Sequence, residues 1–99
     1  GQGMGPVLQI ADDMSAYTLA DRGTWLARRA SLALRLLYAG DPALLNPYHV
    51  MLVNPARHPH ARVDAARAYT DFLIGARGQA LIGGFQIDGE ALFKPVTAP

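Results

Sequence analysis

Tyr17, Thr18, Asp21, Arg22, Gly23 and Thr24 crowd into one stretch, SAYTLADRGTWLARR, residues 15–29. Ala-Tyr-Thr-Leu reads as a strand and Trp-Leu-Ala-Arg-Arg as a helix, so the polar cluster falls where one hands over to the other. A helix start exposes unpaired N–H groups and carries the positive end of the helix dipole. It is a ready place for an oxyanion. Thr18 and Thr24 bring hydroxyl donors, Tyr17 a phenol, and Arg22 a planar fork of charged N–H groups. Gly23 lets a ligand approach the backbone. The same residues also suit a plain strand–turn–helix junction, with Asp21 as the N-cap, Arg22 in solvent and Thr24 without a role. A second cluster is GQGMGP at the start of the chain, where the N–H groups of Gly3, Met4 and Gly5 precede a helix and could line an anion pocket. No strand precedes it and no Lys-Ser/Thr follows, so neither a dinucleotide fingerprint nor a P-loop is supported. Taken alone, the motif is better read as a flexible chain start.

Other chemistry finds little support. His58-Pro59-His60 offers two imidazoles held apart by a proline, too few for a metal site, and His49 sits inside an expected strand. Ser15 and Ser31 are the only serines, and neither lies in Gly-x-Ser-x-Gly. Asp12 and Asp13 are adjacent, so on a helix they point in different directions. No nucleophile, base and orienting partner can be assembled; an enzyme is not expected, nor a metal or cofactor. Arg57, Arg62, Arg67 and Arg77 make a mildly basic edge without the aromatic platform that nucleic acid would need.

The elements that must position these residues follow from periodicity. Pro6 suits a first helical turn. Val7, Leu8, Ile10, Ala11 and Met14 recur at helical spacing. Ala16–Leu19 reads as a short strand, and Asp21 as the cap of a second helix running to about Arg29. Residues 32–38, LALRLLY, fit either a continued helix or a buried strand; a strand in the second half is favoured. Tyr48–Val53, YHVMLV, is the clearest strand, bracketed by Asn-Pro on both sides. Ala56–Arg62 reads as a loop, Asp64–Ile74 as an amphipathic helix, and Ala76–Ile82 as a shorter one ended by Gly83-Gly84. A turn is expected at Gly89–Phe93 in the tail.

Strands joined through helices predict an α/β fold with a short parallel sheet flanked by helices. Three short strands are few for such a sheet, which predicts a partial fold, completed by other polypeptide or by self-association into a homo-oligomer. The bulk numbers fit one small domain or part of a larger one: 99 residues, 51% apolar, net charge +1 and no cysteine. There is no disulfide framework and no strong field for nucleic acid or acidic membranes. No run of 18 apolar residues occurs. The opening Gly-Gln-Gly-Met-Gly has no leader pattern and is expected to be the interior of a longer polypeptide.

Taken together, the motifs resemble those of the tungstate-binding proteins of ABC transporters. GQGMGPVLQIADDMSAYTLADRGTW is similar to that family's Gly-x-Gly-Met-Gly, helix and Ala-Tyr-Thr-Leu-Thr-Asp-Arg-Gly-Thr-Tyr segment. YAGDPALLNPYHVMLVNPARHPH resembles its Gly-Asp-Pro-x-Leu-x-Asn-Pro-Tyr-x-Val stretch and the Val-Asn-Pro-x-x-His-Pro that follows. AYTDFLIGARGQALIGGFQIDGEALFKP is similar to its closing helices and tail. The likeness spans essentially the whole chain. It implies the C-terminal half of a two-lobed, class II periplasmic binding protein that holds an oxyanion, tungstate or molybdate, in its cleft without a metal. Residues 1–47 would finish the second lobe, 48–55 cross the hinge as a strand, and 56–99 return to the first lobe. The location implied is periplasmic or extracytoplasmic, with an ABC permease as partner. Thr18, Arg22 and Thr24 are the implied ligand contacts, then Tyr17, with Gly3, Met4 and Gly5. Asp21 would cap the helix or orient Arg22. Ala20 replaces the usual threonine and Trp25 the usual tyrosine, which removes one hydroxyl. Two other readings remain: a self-associating structural fragment that binds nothing, and an oxyanion-sensing domain of a regulator.

Overall fold

The computed structural model describes residues 1–96 and divides into two compact units. The first comprises Gly1–Asn46 and Gln86–Leu92; the second comprises Pro47–Phe85 and the described part of the tail from Phe93.

The first unit is built on helices α1 (Met4–Asp13) and α2 (Arg22–Arg28). Apolar residues recur along α1 at helical spacing, and Leu8 and Ala11, one turn apart, are its buried pair. Against them packs α2, whose Leu26 is also buried; these three side chains are 2–5% exposed and form the core. Alpha-helical bonding in α1 stops in a Schellman motif. Ser15 adopts φ 51° and donates its N–H to Asp12 O, while Ala16 N–H reaches Ala11 O. The Asp12 carboxylate accepts the N–H of Ala33 at 2.9 Å, tying the segment after α2 back to α1. Short 3-10 turns occupy Arg29–Ser31 and Pro42–Leu44. The second is capped by Asp41, which accepts from Ala43 N–H and from the Tyr38 hydroxyl, both at 2.7 Å. These two bonds, Tyr38 first, hold the Asp41 carboxyl below its ordinary range.

The sheet is a two-stranded antiparallel hairpin, β1 (Gln86–Ile87) and β2 (Glu90–Ala91), with Gln86 opposite Ala91 and Ile87 opposite Glu90. Asp88 and Gly89 turn it, both at positive φ (51° and 78°), as a type I′ hairpin loop requires. Arg29 holds this hairpin to the end of α2. Its guanidinium donates to Glu90 Oε1 at 2.8 Å and lies 3.6 Å from Asp88.

The second unit is a helical corner, α3 (Val63–Ile74) and α4 (Ala76–Gly84), broken at Gly75 with ψ 164°. Gly78 is buried where α4 crosses the end of α3, and a Cβ there would overlap the carbonyl oxygen of Phe72. Gln79 fastens the corner by donating from Nε2 to Leu73 O at 2.8 Å. Tyr48 and Phe93 meet edge-to-face at 5.7 Å.

The helices start and stop close to their expected places, but the strands do not. Ala16–Leu19, the second half of residues 32–38 and Tyr48–Val53 are not strands, and a strand across residues 48–55 is likewise absent. The reason is partnership. A strand exists when a neighbouring backbone takes its N–H and C=O groups. Among the described residues, no backbone group of Tyr48–Val53 has a backbone partner. Their side chains stay open as well, Tyr48 at 69% and Met51 at 83% exposure. The tail differs too: in place of a turn at Gly89–Phe93 stands the hairpin of residues 86–91.

Candidate oxyanion-binding site

Two helix starts were expected to present N–H groups, and the structure treats them in opposite ways. At α2, Asp21 sits in extended backbone as the N-cap. Its Oδ2 accepts Thr24 N–H at 2.8 Å and its Oδ1 accepts the Thr24 hydroxyl at 2.7 Å. Partial burial pushes the Asp21 carboxyl up, but the bonds from Thr24 and neighbouring N–H groups outweigh it and hold the carboxyl below its ordinary range. A fixed negative charge therefore occupies the start of α2. Thr24 differs from its expectation as an open donor, since its hydroxyl proton is committed to Asp21. An anion arriving here would meet a carboxylate and find both Thr24 donors engaged.

The start of α1 is the reverse. Its N-cap is Gly3, with no side chain to cap anything, and its first turn holds no acid. Pro6 has no N–H, and Val7 N–H already reaches Gly3 O at 3.2 Å. The N–H groups of Met4 and Gly5 are left without helical partners at the positive end of the dipole. Gly5 also receives Arg28 from α2: a Cβ on Gly5 would stand 2.8 Å from Arg28 Nε. The missing side chain is what lets the guanidinium lie against this turn.

Tyr17 and Thr18 lie in the connection between α1 and α2, both exposed, Tyr17 at 90%. Arg22 opens α2 and is exposed. Among the described residues, no hydrogen bond or ion pair joins Gly3, Met4 and Gly5 to Tyr17, Thr18, Arg22 or Thr24. Arg28 of α2 does reach the start of α1, and it is a residue the sequence did not single out. Its only legible signal is that Arg28 and Arg29 end a helix, where cations are common. Nothing in that pattern says that Arg29 turns to Glu90 while Arg28 turns to Gly5.

Elsewhere the features are less suited to an anion. A hollow of about 420 Å³ lies beside the start of α3, lined by the five consecutive residues Ala61–Ala65, which include Asp64. A second, of about 370 Å³, lies between Tyr48–Val50, the end of α3 and α4, and its lining is apolar apart from Tyr48, His49 and Gln79. Neither contains an expected site residue. His58 and His60 face each other edge-on at 6.0 Å in an exposed loop, and among the described residues no three His, Asp, Glu or Cys gather as metal ligands. Among the described residues, no helix is long and apolar enough to cross a membrane.

Comparison with known proteins decides the family. Residues 1–77 match the PBP superfamily domain. The chain belongs to the PBP superfamily. The helices with one short antiparallel sheet, rather than a parallel one, are consistent with part of an α/β PBP fold. Over 100 aligned residues it is 41% identical to tungstate-binding protein TupA of Peptoclostridium acidaminophilum, covering 99% of this chain and 35% of that protein. It is 42% identical to a Haloferax volcanii protein provisionally named an ABC transporter anion-binding protein, covering 96% of this chain and 29% of that one. The chain therefore spans about a third of the length of these PBP relatives. A crystal structure of a functionally unknown protein from Vibrio parahaemolyticus is 53% identical, covering 86% of this chain and 36% of that one with a TM-score of 0.48.

Proposed function

We propose that this chain carries part of the binding site for a tetrahedral oxyanion, tungstate or molybdate, in the extracytoplasmic solute-binding component of an ABC transporter. The observation that carries the reading is the identity to a tungstate-binding protein over 99% of the chain. The geometry supports it at the start of α1. There the N–H groups of Met4 and Gly5 and the Arg28 guanidinium supply donors, with no carboxylate in the first turn.

The chemistry is binding rather than catalysis. Tungstate and molybdate are dianions without a proton at neutral pH, so four acceptor oxygens ask only for donors. A site of N–H groups and a guanidinium meets that need without a metal. An anion that still carries a proton, as hydrogen phosphate does, would want an acceptor this turn does not offer. Tyr17, Thr18 and Arg22, exposed and without a carboxylate partner among the described residues, are further donors that a closing cleft would bring in. Thr24 serves through Asp21, by holding the cap. The permease partner and the extracytoplasmic location belong to the same proposal.

The test is a titration of the 99-residue chain with sodium tungstate, molybdate and sulfate, followed through backbone amide resonances. A partial site binds weakly, because each hydrogen bond is worth only about 0.5–1.5 kcal/mol net. The expected result is saturable movement of the Met4 and Gly5 signals with tungstate and molybdate, reduced several-fold by Arg28→Ala. Unmoved amides with all three salts would overturn the proposal.

A further inference from the structure

We draw no further inference here: the strongest candidate, the apolar hollow bordered by Tyr48, Val50, Leu73, Ile74 and Ile82 with the unpartnered Gln79 Oε1 in its wall, carries nothing because no observation in the structure shows what covers it.

Discussion

Replacing Asp21 with alanine separates the structural work of the α2 start from any part in anion binding. The substitution removes two hydrogen bonds, from Thr24 N–H at 2.8 Å and from the Thr24 hydroxyl at 2.7 Å. Loss of an N-cap costs about 0.5–2 kcal/mol. The Thr24 hydroxyl is only half-buried and can turn to water, so it adds a few tenths at most. A total of about 1–2 kcal/mol corresponds to a fall of roughly 4–16 °C in Tm for a domain of this size. Asp21→Asn keeps an acceptor but drops the charge at the dipole, so its loss should be smaller, about 0.3–1 kcal/mol. The pH dependence has a definite sign. The Asp21 carboxyl is depressed in the folded chain, so its stabilisation is complete above the unfolded value near 3.8 and is lost as pH falls through the lower folded value. Thermal melts followed by circular dichroism at neutral pH and at pH 2 should show the wild-type advantage over Asp21→Ala shrink in acid. An equal advantage at both, or no advantage at pH 7, would refute the capping argument. The same variant has a second readout. If the start of α1 binds the anion, Met4 and Gly5 still respond to tungstate in Asp21→Ala; if α2 binds it, the uncapped variant moves its response to Gly23 and Thr24.

Three further outcomes are expected. Gly5→Ala puts a methyl against Arg28 Nε, but the guanidinium is the far end of a flexible chain; stability should hold or rise by about 0.5–1 kcal/mol while the tungstate response of residue 5 weakens, and a large fall in Tm would show that Arg28 cannot move. Gly78→Ala drives a methyl into the Phe72 carbonyl, where only backbone can give way; a loss above about 2 kcal/mol is expected, read as dispersed amide signals of α4 collapsing, and a native-like spectrum would contradict the close crossing. Leu26→Ala removes one of the three buried apolar residues of the first unit and should cost about 2–5 kcal/mol, enough to unfold a unit with so small a core, so a chemical melt unchanged by this variant would displace Leu26 from the core.

The helices were legible because their signals are local. Pro6 and the Val7–Met14 spacing predict α1, and the Val63–Leu73 face predicts α3. Asp21 three residues before Thr24 predicts a cap that the structure makes with two bonds. The strands were legible only as preference. YHVMLV has the β-branched and aromatic composition of a strand, yet pairing is a property of two segments, and the described residues hold no partner for this one. The hairpin shows the converse. Gln86–Ile87 and Glu90–Ala91 are too short for periodicity, and the turn expected at Gly89–Phe93 falls instead at Asp88-Gly89, a dipeptide suited to a two-residue hairpin loop. At the candidate site the glycines of the α1 start were readable as open backbone. That Asp21 engages the Thr24 donors depends on which way a carboxylate turns, and that Arg28 reaches Gly5 depends on how two helices pack. Neither is written in spacing.

The grip of Arg29 on Glu90 spans 61 residues of sequence, and it sets an order of events during synthesis. The first unit includes the hairpin, so its opening helices emerge long before the piece that finishes them. At roughly 5–20 residues per second, the wait is about 3–12 s. Throughout that interval the nascent α1–α2 pair has only its own few packed side chains to hold it, and Arg29 meets solvent where its acidic clasp will later arrive.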